Sequence, residues 1–302
     1  MNFLLTNDVE LTSIPLNRES LSIADEIYEC GLPRLIELYS RYDIHSTFFF
    51  TGNIVEVKPE LIDMVKDHGH EVGCHGYHHS SLEGFDSVSY ETQVKYMKKS
   101  KKIIEDVAGR IEAFRSPELR INKDTVRALE KTGFKIDSSV ASQRFDGPFS
   151  FGTKEKMKWL FAPRKPYYMS YKSPFKRGDS EILEIPISAL LIPYIGTTMR
   201  MMPTFIKLIQ KILFMEAKME KPIVFLFHPN ECLDFTTVER MKNASGFSSI
   251  FRDTIRQQLK LKNLGAYSIR LLEEIIKDGI DYGFEFESVS SYKRKCFNVR
   301  TI

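Results

Sequence analysis

The stretch Met1–Glu10 (MNFLLTNDVE) joins an apolar run to a short acidic segment. Its apolar residues predict a buried strand over residues 1–6, and Asp8 and Glu10 follow where that strand ends. Residues two apart in an extended chain face the same side, so both carboxylates are predicted to face one site while Val9 points away. The sequence therefore predicts a strand whose C-terminal end carries paired acids.

The same order, an apolar run and then polar residues, recurs along the chain. Strands are predicted over 1–6, 45–50, 71–74, 111–115, 134–137, 182–187, 223–227 and 283–287, and helices over 32–42, 59–65, 88–107, 122–133, 204–217, 251–262 and 268–277. This alternation predicts a parallel sheet covered by helices, either as a barrel or as a doubly wound sheet. A length of 302 residues lies within the range of a single β/α barrel.

The chain is predicted to form one domain over residues 1–302, with two departures from the regular alternation. Residues 142–180 are rich in aromatic, basic, Gly and Pro residues, and we expect an inserted loop region there that sets specificity. An aromatic stacking platform with basic residues is expected within it, formed by Arg144, Trp159, Arg164, Lys165 and Tyr167. Residues 250–302 are expected to form a C-terminal extension of helices and a strand.

Composition excludes some classes of partner. The formal net charge is only +3, and no basic stripe with interleaved aromatic residues stands out, so no nucleic-acid partner is expected. No run approaches the roughly 18 apolar residues that a membrane-spanning helix needs. The apolar, lysine-containing segment Met199–Phe214 could touch a membrane surface, but an amphipathic core helix is the favoured interpretation.

The cysteines and the N-terminus predict a cytoplasmic location. The four cysteines lie far apart and form no CxxC pair, which favours reduced thiols over disulfides or a zinc ribbon. Residues 1–6 run directly into polar residues, without the basic and long apolar regions of a signal peptide.

Two histidines suggest a metal site. His75 and His79 follow the strand predicted over 71–74, and a helical turn there would point both side chains the same way. Two imidazoles and one carboxylate, with coordination positions left open, make a catalytic rather than a structural metal set. His78 lies between them in sequence and could be a neighbour rather than a ligand, and exposed loop histidines are the alternative interpretation.

Acid–base chemistry is suggested by residues after other strands. One of Asp8 and Glu10 could bind the metal while the other acts as a general base, which a nearby Arg115 would keep ionised. His228 follows the apolar run 223–227 and is placed to protonate a leaving amine. The alternatives are a surface ion pair for Arg115 and a hydrogen-bonded core histidine for His228.

Read together, these segments resemble the polysaccharide deacetylases, the NodB-homology group of carbohydrate esterases. Thr6–Glu10 (TNDVE) resembles the first family motif, usually TFDDG. His75–His79 (HGYHH) fits the H-[ST]-x-x-H metal motif, with Gly76 at the small second position. Phe114–Pro117 (FRSP) resembles the R-x-P motif, and Leu226–His228 (LFH) the last motif. The resemblance covers residues 1–231.

The resemblance implies a distorted (β/α)7–8 barrel of the glycoside hydrolase/deacetylase type and a metal-dependent hydrolase that removes an N-acyl group, N-acetyl above all, from a sugar or glycan precursor. It implies Asp8 as catalytic base, Arg115 as the residue that orients it and His228 as general acid. Glu10, His75 and His79 would bind one divalent metal, Zn²⁺ by default, with Co²⁺ or Fe²⁺ also suited to these ligands. Further candidates for substrate binding are Tyr77, Pro117 and Asp137.

Three departures from the family pattern leave alternatives open. Val9 replaces the second Asp of the first motif, so the roles of Asp8 and Glu10 could be swapped. The family's fourth motif, with Asp and Trp, has only Asp137 as a candidate, because Trp159 lies elsewhere. The N-terminus argues against a secreted enzyme acting on assembled wall polymer. A deformylase or other amidohydrolase acting on a lipid- or nucleotide-linked aminosugar, and a degenerate glycan-binding barrel without activity, are the alternatives.

Overall fold

The apolar runs predicted as strands form one curled, mixed sheet. The structure, a computed structural model, describes residues 1–79, 84–145, 154–235 and 259–297. The strands are β1 (Asn2–Val9), β2 (Thr12–Ser13), β3 (Arg18–Glu19), β4 (Thr47–Phe50), β5 (Glu71–Cys74), β6 (Ala113–Phe114), β7 (Ile136–Asp137), β8 (Tyr167–Ser170), β9 (Ser173–Arg177), β10 (Leu183–Glu184), β11 (Ala189–Leu190), β12 (Ile192–Pro193), β13 (Ile223–Phe227) and β14 (Glu285–Phe286). The main sheet has the order β13-β1-β4-β5-β6-β7-β10-β8-β9, and β14 also pairs with β1.

Helices follow most of the parallel strands and cover the sheet. They are α1 (Ser22–Glu26), α2 (Leu32–Arg41), α3 (Gly52–Val57), α4 (Glu60–Asp67), α5 (Tyr90–Ala108), α6 (Lys123–Lys131), α7 (Gly196–Met201), α8 (Pro203–Ala217), α9 (Ala266–Asp281) and α10 (Val289–Phe297), with a π-helical turn over Ile27–Gly31 and a 3-10 helix over Lys154–Phe161. All five residues of β13 are buried, as expected for a parallel strand covered on both faces. Within these described elements, no helix has the length and apolar character needed to cross a membrane.

The segment after β10 approaches β13, the first strand in this order, through Ser188 and Val224. The Ser188 N–H donates to the Val224 carbonyl at 3.0 Å, and the Ser188 hydroxyl accepts from the Val224 N–H at 3.0 Å. The parallel pairs from β13 through β7 to β10 therefore curl toward a barrel. The distorted β/α barrel predicted from the resemblance is confirmed, and the doubly wound alternative is wrong.

Part of the segment predicted as an inserted loop is regular structure. β8 and β9 form an antiparallel hairpin that extends the sheet through β10, and residues 146–153 lie outside the described residues. The prediction of an aromatic stacking platform is wrong. Trp159 and Tyr167 are only 1% and 2% exposed, so their rings are not available to a substrate. Packing accounts for the difference, since both rings complete the core beside the hairpin.

The C-terminal segment also joins the barrel. β14 pairs in parallel with the start of β1, and the Val289 N–H donates to the Thr47 hydroxyl at 3.0 Å. The predicted helix over 251–262 lies largely outside the described residues, because the description resumes at residue 259. The domain bounds 1–302, 142–180 and 250–302 stay predictions.

Candidate active site

The polar residues that follow separate strands meet at one end of the barrel. Asp8 is the penultimate residue of β1, His75 follows β5, Arg115 follows β6 and His228 follows β13. Parallel strands bring their carboxyl ends to the same rim, which is where α/β enzymes build their sites. The sheet therefore collects residues that are up to 220 positions apart in sequence, since it pairs β1 directly with β13.

Glu10, His75 and His79 form a cluster suited to a metal ion, with ligand atoms all within 4.8 Å of one another. Glu10 Oε2 lies 3.2 Å from His79 Nε2 and 3.6 Å from His75 Nε2. Glu10 is 4% exposed, and its buried Oε2 accepts no hydrogen bond from the described residues. A buried carboxylate oxygen facing two imidazole nitrogens fits a cation, so the donor set matches a divalent metal.

Neighbouring backbone groups orient both imidazoles toward Glu10. His75 Nδ1 lies 3.0 Å from the Arg115 carbonyl, so the neutral ring donates there and presents the Nε2 lone pair to the cluster. The Glu118 N–H donates to His79 Nε2 at 3.3 Å, which makes that nitrogen an acceptor. His79 Nε2 and Glu10 Oε2 then face each other as two acceptors, an arrangement that a shared cation would stabilise.

The local backbone differs from the one predicted for the two histidines. Residues 75–79 form an irregular loop, with Gly76 at φ 74°, so the predicted helical turn is wrong. The ring centroids of His75 and His79 still lie 5.6 Å apart, because the left-handed glycine turns the chain back toward the rim. His78 faces away from the cluster, with Nδ1 3.0 Å from the Asn53 side-chain amide and 3.4 Å from Glu19 Oε2.

Arg115 fixes Asp8 in a buried ion pair. Arg115 Nη1 donates to Asp8 Oδ1 at 2.8 Å, while its other nitrogens donate to the carbonyl and the hydroxyl of Ser138 at 2.9 and 2.8 Å. The side chains of Arg115 and Asp8 are 0% and 3% exposed. Asp8 Oδ2 remains directed toward His75 Nε2, 3.6 Å away. Asp8 is thus held by Arg115 on one oxygen and faces the cluster with the other.

His228 is oriented by two residues that the sequence patterns did not single out. Its Nδ1 lies 2.9 Å from Glu231 Oε1, and Glu231 is paired in turn with the buried Arg200 of α7. Burial lowers the pKa of His228, but Glu231, with smaller contributions from Glu10 and Asp8, raises it to about 9. His228 is therefore protonated at neutral pH, as a general acid requires.

The signal for Glu231 was present in sequence, since it belongs to the polar segment His228–Glu231 after β13. Arg200 could not be found this way, because it lies 31 residues before Glu231 and only the packing of α7 on β13 brings the two together.

The charges of the cluster act on Glu10. Burial alone would raise the pKa of this carboxyl, but His79, His75 and His228 outweigh it and lower the pKa to about 2. Glu10 is therefore ionised at any ordinary pH and is available as an anionic ligand.

The three candidate substrate-binding residues lie in different surroundings. The Tyr77 hydroxyl donates to Glu56 at 2.7 Å, and Tyr77 and His78 line a cleft of about 380 Å³ that also includes Glu19. Pro117 is buried at the start of a short 3-10 turn over Pro117–Leu119. Their roles in substrate binding stay predictions.

Asp137, the third of these, is completely buried. Its Oδ1 accepts from the Ser139 hydroxyl at 2.5 Å, and Glu184 of the neighbouring strand β10 lies beside it in register. Burial raises the pKa of Asp137 to about 6 and that of Glu184 well above its usual value. The two carboxyls form a buried acid pair behind the rim, and Asp137 does not contact His228 in any described hydrogen bond or ion pair.

Part of the chain is similar to known proteins. Residues 19–136 match the family model described as polysaccharide deacetylase, a range that includes His75, His79 and Arg115. A peptidoglycan deacetylase of Helicobacter pylori is 29% identical over 160 residues, which is 52% of this chain and 53% of that protein. A peptidoglycan-N-acetylmuramic acid deacetylase of Bacillus subtilis is 37% identical over 59 residues, 19% of this chain and 22% of that protein. The alignment with the H. pylori protein thus spans about half of its length.

Two solved structures share the fold. A Mycobacterium smegmatis structure assigned to the polysaccharide deacetylases superposes with a TM-score of 0.52 at 20% identity and covers 92% of each chain. An allantoinase superposes with a TM-score of 0.59 at 15% identity, over 96% of this chain and 89% of that one. Residues 19–136 are thus similar to the polysaccharide deacetylases, and the two solved structures share the barrel fold.

Proposed function

We propose that this chain is a metal-dependent hydrolase that removes an N-acyl group, N-acetyl above all, from a sugar or glycan precursor. The observation that carries the proposal is the cluster of Glu10, His75 and His79 beside an Arg115-held Asp8. A protonated His228 near this cluster supplies the acid. A glycan-binding barrel without activity is disfavoured, since binding alone needs neither a held base nor a charged acid.

Glu10, His75 and His79 would hold the metal, with Zn²⁺ as the default for one carboxylate and two imidazoles. When bound, a divalent ion supplies Lewis acidity to the acyl carbonyl and lowers the pKa of water. The swapped arrangement, with Asp8 as ligand, is disfavoured because one Asp8 oxygen is already bound to Arg115.

Residues of this chain carry out the proton transfers. Asp8, oriented by Arg115, accepts a proton from the attacking water. His228, held by Glu231, donates its proton to the departing amine nitrogen. A cytoplasmic location stays a prediction.

Metal content and acyl release together test the proposal. We expect purified protein to hold about one divalent ion per chain and to release acetate from N-acetylated sugar oligomers. His75→Ala and His79→Ala should each lower metal affinity by about tenfold or more and abolish release. His78→Ala is the matched control, since His78 belongs to the same loop and faces Asn53 and Glu19.

Metal content and acetate release in His75→Ala equal to those of the parent protein would contradict the proposal. A panel of N-formyl and N-acetyl sugars, free and carrier-linked, separates deacetylation from deformylation.

A further inference from the structure

Helix α8 has two apolar faces, of which only one packs on the barrel. Ile206, Ile209, Leu213 and Phe214 are 4% exposed or less, and they confirm the core helix favoured from the sequence. A second set points to solvent at spacings of three or four residues. We name this set the α8 stripe; it comprises Phe205, Leu208, the half-buried Ile212 and Met215 of α8, with Met202 just before the helix and Met219 two residues after it.

The exposure within the α8 stripe is large. Phe205, Leu208, Met215 and Met219 are 44%, 56%, 57% and 67% exposed. At about 100° per residue, the stripe from Phe205 to Met215 occupies an arc of about 80°. Single exposed apolar side chains are ordinary, but a contiguous row of large ones marks an interaction surface.

The apolar surface continues beyond the helix. β11, which leads into Leu191, packs against α8, and Leu191 is 59% exposed. The Phe145 N–H donates to the Leu191 carbonyl at 2.8 Å, and the Phe145 side chain is 56% exposed. Two further exposed apolar side chains therefore lie near the β11 segment that contacts α8.

Lysines border the α8 stripe on one side. Lys207, Lys211 and Lys218 are exposed and lie about 100° around the helix from the centre of the stripe. Lys207 Nζ forms an ion pair with Glu274 Oε2 at 2.6 Å. Lys211 and Lys218 have no ion pair among the described residues. An apolar row edged by exposed lysines is the pattern of a helix that lies in a membrane interface.

The stripe begins beside the candidate active site. Arg200 lies two residues before Met202, and it is paired with Glu231, the partner of His228. A surface that docked along α8 would therefore lie next to the rim where the cluster opens. This placement suits a substrate whose sugar is attached to a lipid.

We propose that the α8 stripe docks this protein on an anionic lipid surface. The six apolar side chains enter the boundary between head groups and acyl chains, while Lys211 and Lys218 contact lipid phosphates. The attachment is peripheral. It is independent of the chemistry proposed above, because none of these side chains belongs to the cluster or to the acid–base residues.

Vesicle co-sedimentation of the full chain tests this surface, with phosphatidylcholine vesicles that contain or lack phosphatidylglycerol. We expect binding to the anionic vesicles. The double variant Phe205→Glu/Leu208→Glu should bind about tenfold less or weaker still, and Lys211→Glu/Lys218→Glu should also bind about tenfold less. Val57→Glu on α3 is the matched control, since Val57 is 44% exposed, like Phe205, and lies outside the stripe.

The results of this experiment distinguish a lipid surface from a second copy of the chain as the partner of the α8 stripe. No pelleting above a vesicle-free control, or equal pelleting of the parent protein and the Phe205→Glu/Leu208→Glu variant, overturns the proposal. A concentration-dependent dimer in sedimentation velocity that this variant abolishes, without vesicle binding, would assign the stripe to a second copy. Retained metal content and acetate release in the stripe variants would show that the hydrolase proposal is unaffected by either result.

Discussion

At the scale of single residues, His228 and Glu231 illustrate how one carboxylate sets the protonation state of the proposed general acid. His228 is 20% exposed at its side chain and Glu231 1%, so the pair interacts in a medium that screens charge weakly. Burial favours neutral His228, whereas the hydrogen bond and charge of Glu231 favour the imidazolium and prevail. Arg200 stabilises Glu231 as an anion in turn.

Glu231→Gln should therefore move the alkaline limb of the pH–activity profile to lower pH. The substitution removes the main group that raises the pKa of His228 to about 9 and leaves burial, which lowers it. His228 would then lose its proton at least about one pH unit earlier. The measurement is kcat/KM against pH, with Glu220→Gln, an exposed carboxyl at the end of α8, as control. An alkaline limb equal to that of the parent protein would rule out this role for Glu231.

At the scale of secondary structure, α6 shows a local signal that the structure confirms. The helix predicted over 122–133 starts at Asn122, whose Oδ1 accepts from the Asp124 N–H at 2.9 Å while the Asn122 N–H donates to the Thr125 hydroxyl at 3.0 Å. Caps are readable from sequence because they depend on a few consecutive residues. The loop over 75–79 was not readable in this way, because its path depends on contacts with Arg115 and Glu118.

Asn122→Ala should lower the free energy of unfolding by about 1 kcal/mol. The substitution leaves N–H groups in the first turn of α6 without an acceptor and also removes an acceptor of the Gln93 side chain. Urea unfolding of the variant measures the change, and Lys123→Ala, an exposed change one residue later, is the control. Equal midpoints for the two variants would contradict the cap.

At the scale of the whole molecule, contacts between β13 and the segment after β10 curl the sheet into a barrel. Ser188, which is 2% exposed, donates to β13 through its backbone and accepts through its hydroxyl. These bonds help to keep β13, and with it His228, at the same rim as β1. In a doubly wound sheet, β13 and the segment that contains Ser188 would lie apart.

Ser188→Ala should destabilise the fold by about 1–3 kcal/mol, because the buried Val224 N–H loses its acceptor. Ser40→Ala, which removes an exposed hydroxyl on α2, should change stability by less than about 0.5 kcal/mol. Thermal or denaturant unfolding compares the two. A Ser188→Ala protein as stable as the Ser40→Ala protein would show that this hydroxyl does not stabilise the closure.

Much of the fold could be predicted from the sequence, since the predicted bounds of strands such as β5 and the wholly apolar β13 agree with the structure. Such elements follow from periodicity, which needs only neighbouring residues. The short or irregular elements, among them α7 and the β8–β9 hairpin, were missed because long-range packing decides them.

The sequence by itself determined the β/α alternation, the identity of Asp8, Glu10, His75, His79, Arg115 and His228 as candidates, and the family resemblance. Only the tertiary structure decided that Arg115 holds Asp8 and that Glu10 faces both imidazoles. It also decided that Glu231 pairs with His228 and that Arg200 pairs with Glu231. It also decided that Trp159 is buried and that one face of α8 is exposed. The physical reason is that residue type and spacing are local properties, whereas contact, burial and pKa depend on groups that the chain brings together only on folding.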